Sequence, residues 1–163
     1  MAPHKRPQIT IRPGTPDDRE QIIALITSLM QMEGAQPQPK TVMRRMFADV
    51  MTRSDRMTFL VAECEGQIVG TLTMVFAYST WSACPLVNIE DFFVREEYRR
   101  QGVGTALINE VKRIARKRGC RRADLYVLEH NAAAQRLYRK QGFEETEYRL
   151  YSADLGRPRR TGA

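Results

Sequence analysis

Apolar and polar residues alternate over residues 8–12, with Ile9 and Ile11 on one side, and this predicts a first strand. Thr15-Pro16-Asp17-Asp18 reads as a helix start, with threonine as N-cap, proline at the first helical position and acids in the first turn. Ile22, Ile26, Leu29 and Met30 form the buried stripe of that helix, and Gly34 closes it. After the loop GAQPQPK, residues 40–52 predict a second helix, with Val42/Met43, Met46/Phe47 and Val50/Met51 recurring at helical spacing. Residues 58–64 and 67–78, joined by Glu65-Gly66, predict a hairpin. The loop STWSACP leads into a fourth strand at 86–94. Residues 102–118 then read as a helix with Val103, Leu107, Val111 and Ile114 inward and Gly119 as its stop. A fifth strand at 122–128 is followed by a short helix at 131–141, capped by Asn131 and ended by Gly142. Residues 143–155 supply one or two last strands.

The order β-α-α-β-β-β-α-β-α-β puts hairpins first and a β-α-β crossover later. It predicts a mixed α+β fold around one central sheet. A chain of 163 residues suggests one domain, with a core over about 8–155 and a frayed tail at 156–163.

Composition narrows the class. At 42% hydrophobic and 28% charged the chain can bury a core and remain soluble. No run approaches the roughly 18 apolar residues of a membrane span, and the basic N-terminus leads into no apolar stretch of a secretory signal. Three cysteines, Cys64, Cys84 and Cys120, are odd in number and widely spaced, which fits a reduced, cytoplasmic protein. His4 and His130 are the two histidines, too few for a histidine-rich metal site, and no metal is expected. The net charge of +7 admits nucleic acid, an anionic cofactor or plain solubility. Part of the excess lies in the run KRIARKRGCRR on the exposed side of the third helix.

The most informative segment is Arg99-Arg100-Gln101-Gly102-Val103-Gly104-Thr105, between the fourth strand and that helix. Two glycines at a helix start leave amide groups bare and let an anion approach. The helix dipole and two arginines add positive potential. These are the parts of a pyrophosphate cradle. A Rossmann loop requires GxGxxG opening a first β-α unit, but this loop is late and position 107 is leucine. A Walker loop requires GK[ST], which is absent. Asn131 and Tyr138 are seven residues apart on the next helix and project from one side.

This pattern resembles the GNAT superfamily of acyl-CoA-dependent N-acyltransferases, whose signature Arg/Gln-x-x-Gly-x-Gly/Ala reads here as Arg99 to Gly104. The segments NIEDFFVREEYRRQGVG and EHNAAAQRLYRKQGF look most like the diamine (spermidine/spermine and thialysine) acetyltransferase branch. The resemblance implies a mostly antiparallel sheet of six to seven strands flanked by about four helices and splayed between strands 4 and 5. It implies acetyl-CoA as co-substrate, its pantetheine arm pairing with the backbone at Phe92, Phe93 and Val94. Residues Arg99, Arg100, Gln101, Gly102, Val103, Gly104 and Thr105 hold the pyrophosphate in this reading, while Asn131 and Ala134 meet the pantetheine arm. Tyr138 sits near the thioester sulfur. The branch also implies a homodimer.

The chemistry supports particular roles. At pH 7 only about one in 2,500 primary amines of pKa about 10.4 is neutral, so a base is useful. A thiolate leaves more easily beside a proton donor, and backbone N–H groups can hold the developing oxyanion. Tyr138 is the expected acid and Glu90 the expected base, acting directly or through water. Glu33, Glu90 and Asp91 form an acidic patch for a cationic acceptor, and Tyr78 and Trp81 are expected to stack on it. Each residue also has a plain structural role open to it: Glu90 as a neutraliser of Arg99, Asn131 as a helix cap, Tyr138 and Trp81 as packing. The leading function is acetyl transfer to a primary amine of a small molecule, with no nucleic acid or membrane partner. A protein or peptide acetyltransferase, a nucleic-acid binder and a non-catalytic acyl-CoA sensor stand as alternatives.

Overall fold

Arg12 holds the start of the chain together. Its guanidinium reaches both Asp18 carboxylate oxygens, at 2.7 and 2.9 Å, and the Glu63 carboxylate at 2.7 Å. Asp18, 5% exposed, also accepts from the Thr15 amide at 2.7 Å and the Thr15 hydroxyl at 3.0 Å. A buried carboxylate is tolerated here because every oxygen is partnered. The computed structural model describes residues 8–156. The tail expected at 156–163 lies, apart from Gly156, outside the described residues, as does His4.

The strands are β1 (Ile9–Pro13), β2 (Met57–Cys64), β3 (Gln67–Ser79), β4 (Cys84–Val94) and β5 (Arg122–Leu125). The helices are α1 (Arg19–Met32), α2 (Lys40–Thr52), α3 (Val103–Lys117) and α4 (Ala132–Lys140). Pro16–Asp18 form a 3-10 turn ahead of α1, so proline stands one turn earlier than a proline opening the α-helix itself. The strands lie in the order β1-β2-β3-β4-β5. The first three pairs are antiparallel and β4–β5 is parallel.

Period-two alternation sends the two faces of the sheet to two cores. On one side Phe59, Val61, Ile68 and Phe93 pack under Ile22, Ile26 and Leu29 of α1 and Met43, Phe47 and Val50 of α2. On the other, Leu60, Ala62, Val69, Leu72, Met74, Val87 and Ile89 pack under Val103, Leu107, Val111 and Ala115 of α3. Of the expected helix stripes, Ile22, Ile26, Leu29, Met43, Phe47, Val50, Val103, Leu107 and Val111 are buried, Met30, Met46, Met51 and Ile114 are half-buried, and Val42 is exposed.

Two expectations need correction. The described residues form five strands, not six or seven. Phe143 packs on the α3 side, but residues 144–156 form neither helix nor strand, because their alternation meets no ladder partner. β5 stops at Leu125, short of Leu128, because β4 has no residue paired with β5 beyond Ile89. A strand persists only as far as its neighbour supplies hydrogen bonds.

Candidate functional site

The site begins with one extra residue in β4. Thr73 pairs with Glu90 and Thr71 with Phe93, so three steps along β4 match two along β3. The additional residue is a β-bulge. Asp91 stands in it with φ of 51°, in the left-handed region that few non-glycine residues adopt. The last β4–β5 pair is Ile89↔Leu125. From Glu90 to Val94 the side of β4 facing away from β3 therefore has no strand partner among the described residues. This is a gap between strands 4 and 5 in which an extended ligand arm can pair with the backbone.

The bulge also changes where the acids stand. Consecutive residues of a regular strand point to opposite faces. Here Glu90 lies across from Thr73, while the Thr73 hydroxyl donates to the Asp91 carboxylate at 3.4 Å. Both carboxyls are thus gathered beside one buried threonine. Glu90 is exposed, and partial desolvation at its base together with the charge of Asp91 raises its carboxyl above the ordinary glutamate range. Burial also raises Asp91, opposed by the Thr73 hydrogen bond.

The glycine loop follows a 3-10 turn at Glu96–Tyr98. Arg100 (φ 60°) and Gly102 (φ 88°) both have left-handed backbone. No acceptor among the described residues takes the amide N–H of Arg100, Gln101, Gly102, Val103, Gly104 or Thr105. The first partnered amide of the helix start is Ala106, which donates to the Gly102 carbonyl at 2.9 Å. Six bare donors thus stand together at the positive end of a 15-residue helix, an arrangement that favours negative charge. A Cβ on Gly104 would lie 3.0 Å from Leu137 and 3.4 Å from Phe92, so glycine here lets α3, α4 and β4 converge.

Arg99 departs from its expected role. Its amide donates to Glu96 at 3.1 Å. Its side chain turns back, donating to the Val94 carbonyl at 2.9 Å, contacting Met32 Sδ at 3.6 Å and lying over the Phe93 ring at 5.5 Å. Arg99 thus fastens the end of β4 to α1, and the bare donors start at Arg100. Of the backbone at 92–94, the Val94 carbonyl is already engaged.

Asn131 caps α4, its Oδ1 accepting from the Ala134 amide at 3.2 Å. The cap occupies the Ala134 N–H and leaves the Asn131 side-chain amide nitrogen available to donate. Tyr138, 9% exposed, packs its ring 6.1 Å from Phe92 and 6.0 Å from Phe143. Its hydroxyl has no hydrogen-bond partner among the described residues and is not sealed in, so it opens outward from an apolar socket. Burial, with the charge of Glu33, pushes the phenol up to about 12. Glu33, at the end of α1, is accordingly brought within electrostatic reach of Tyr138.

The aromatic pair is not brought to this place. Tyr78, near the end of β3 and paired with Pro85, and Trp81, in the β3–β4 turn, are 63% and 96% exposed. Six residues of strand, about 20 Å, separate Cys84 beside that turn from Glu90. The reading from sequence missed Thr73, Leu137 and Phe143. Two threonines at spacing two inside the apolar strand β3 were the available signal for Thr73. Among the described residues no three His, Cys, Asp or Glu side chains are placed to hold a metal.

Residues 23–143 match the acetyltransferase (GNAT) family. The chain is similar to thialysine N-epsilon-acetyltransferase of Bos taurus, 32% identical over 145 residues, 84% of this chain and 85% of that protein. It is similar to aminoglycoside N(6')-acetyltransferase type 1 of Salmonella typhimurium, 29% identical over 98 residues, 58% of this chain and 68% of that one. An aminoglycoside N-acetyltransferase in complex with CoA shares the fold, with a TM-score of 0.81 at 22% identity, over 96% of this chain and all of that one.

Proposed function

The chain belongs to the acetyltransferase (GNAT) family and is an acetyl-CoA-dependent N-acetyltransferase, and from that premise we propose that its acceptor is a small molecule with a cationic primary amine. The observation that carries this reading is the bulge at Asp91. It sets two carboxyls, the exposed Glu90 and the half-buried Asp91, next to the gap beside β4 and one short 3-10 turn from six bare amides. Anion-binding donors and amine-binding acids thus stand at opposite ends of one short piece of chain. That thialysine and aminoglycosides are amines acetylated by similar proteins agrees with it.

When bound, acetyl-CoA supplies the acyl thioester. The amides of Arg100 to Thr105 hold its pyrophosphate, and the backbone of Phe92 to Val94, with the Asn131 side-chain nitrogen, aligns the pantetheine arm. Glu33, Glu90 and Asp91 attract the ammonium group. Glu90 takes its proton, directly or through water, a task helped by a carboxyl raised above its ordinary range. Tyr138 stays protonated at working pH and gives its proton to the departing sulfur. Alignment accounts for much of the acceleration. The free cysteines Cys64, Cys84 and Cys120 fit work in a reducing compartment, the cytoplasm.

The test is thiol release from acetyl-CoA across diamines, thialysine, aminoglycosides and lysine-bearing peptides between pH 7 and 9. Release driven by small amines and not by peptides is expected. Release with peptides alone would replace this reading with a protein acetyltransferase.

A further inference from the structure

The basic run that opens with Lys112 does not lie wholly on the exposed side of α3. Arg113, Arg116, Lys117 and Arg118 are exposed, but Lys112 is half-buried. Its ammonium donates to the Gln141 carbonyl, just past the end of α4. It also lies over the Phe143 ring, 5.7 Å from the centroid. A cation placed here meets the negative end of a helix and the negative face of an aromatic ring together. Neither the glycine loop nor the acceptor acids use it.

The end of α4 needs holding. The helix has nine residues, and Tyr138 stands in its last turn. Carbonyls of a last turn lack helical partners, and short helices fray there. The Tyr138 carbonyl accepts from the Gln141 and Phe143 amides, each at 3.0 Å. After Phe143, no backbone hydrogen bond ties residues 144–156 to the rest of the described chain. The Tyr138 hydroxyl has no partner among the described residues to fix it from the other end. The direction of the phenol is therefore set by how its ring sits between Phe92 and Phe143. Two contacts tie α4 to α3. Gly104 faces Leu137, and Lys112 holds Gln141 and covers Phe143. The second governs the turn that carries Tyr138.

We propose that Lys112 is a positioning residue for Tyr138: it fastens the last turn of α4 and the Phe143 ring so that the phenol is directed at the departing sulfur. Lys112 acts on the reaction only through Phe143 and Tyr138. The inference rests on the acid role proposed for Tyr138 and does not depend on which amine is the acceptor.

Lys112→Met keeps the length of the side chain and removes its donor and charge. The readout is thiol release from acetyl-CoA, driven by whichever diamine, thialysine or aminoglycoside the native enzyme uses fastest. Calorimetry with acetyl-CoA counts the folded, binding-competent molecules, and kcat is taken per binding site. For Lys112→Met, kcat is expected to fall by about tenfold with acetyl-CoA affinity unchanged. Lys112→Gln, uncharged and shorter, is expected to give the same pattern through a second side chain. Lys112→Arg can still donate to Gln141 and lie over Phe143, and is expected to recover most of the loss. In a Tyr138→Phe background there is no proton to direct, so adding Lys112→Met is expected to lower kcat no further. Native kcat in Lys112→Met, acetyl-CoA affinity falling in step with kcat, or an undiminished further loss in the Tyr138→Phe background would each overturn the proposal. Tyr138→Phe alone separates the two readings. A slow Tyr138→Phe beside a fast Lys112→Met overturns the positioning and leaves the acid role, whereas native turnover in Tyr138→Phe overturns both.

Discussion

The Thr73 hydroxyl donates to the Asp91 carboxylate across 3.4 Å, from β3 to one of the two residues of β4, Asp91 and Phe92, that stand in the bulge. Sheet pairing puts the donor there, and the bulge brings the acceptor to it. Asp91 has φ of 51°, a conformation that costs a residue with a Cβ roughly 1–2 kcal/mol and glycine far less. Asp91→Gly is therefore expected to be more stable than Asp91→Ala by about 1 kcal/mol in urea denaturation. Thr73→Val, which leaves the Asp91 carboxyl without its donor, is expected to cost about 1 kcal/mol. An alanine variant as stable as the glycine variant would show that the left-handed bulge is not held.

Tyr138→Phe keeps the ring between Phe92 and Phe143 and removes the proton. Turnover is expected to fall on the order of a hundredfold or more, while acetyl-CoA affinity by calorimetry changes little. Because the phenol is raised to about 12, the native enzyme is expected to show no alkaline fall in kcat from this group below roughly pH 11. Unchanged turnover in the phenylalanine variant would remove Tyr138 from the acid role.

The two loop glycines are expected to fail differently. Gly102 has open space around a Cβ but φ of 88°, so Gly102→Ala strains the backbone and turns the bare amides away. Gly104 is helical but faces Leu137 at 3.0 Å. Gly104→Ala is expected to move α4 and with it Tyr138. Acetyl-CoA affinity should drop in the first, and kcat more than affinity in the second. The split is read from steady-state kinetics beside calorimetry.

Asp18 predicts the acid limb of stability. Its carboxyl is held at about 2, against an ordinary value of 3.8, first by the Arg12 hydrogen bonds. A depressed carboxyl stabilises the fold above its unfolded pKa and loses that stability as pH falls through the folded value. The contribution is about 2 kcal/mol at pH 7 and vanishes between roughly pH 5 and 2. Asp18→Asn is expected to remove it at pH 7 and to narrow the stability difference from native near pH 2. Parallel urea curves at both pH values check this, and equal gaps at both would contradict it.

Much of this was legible in advance. The bounds predicted for α2, 40–52, are those observed, because its apolar pairs recur at one helical period. Asn131 was legible as a cap, and Gly34, Gly119 and Gly142 as helix ends, since all three adopt the left-handed backbone that such ends use. The bulge was not legible. Nothing in the alternation of Ile89 to Phe93 marks Asp91 as the extra residue, since pairing with β3 selects it. Nor could the chain announce that Arg99 folds back on Val94 and Met32, or that a hairpin would hold Trp81 at the far end of β4.

Helix periods, caps and glycine stops depend on neighbours a few positions away, so the order of elements, the glycine-rich helix start and the family resemblance were all contained in the amino-acid sequence. Strand register depends on residues far apart in the chain, matched only when the sheet closes. The meeting of Glu90 with Asp91, the socket of Tyr138 and the lack of any ladder for residues 144–156 were therefore decided in three dimensions, where one added residue changes which side chains share a face.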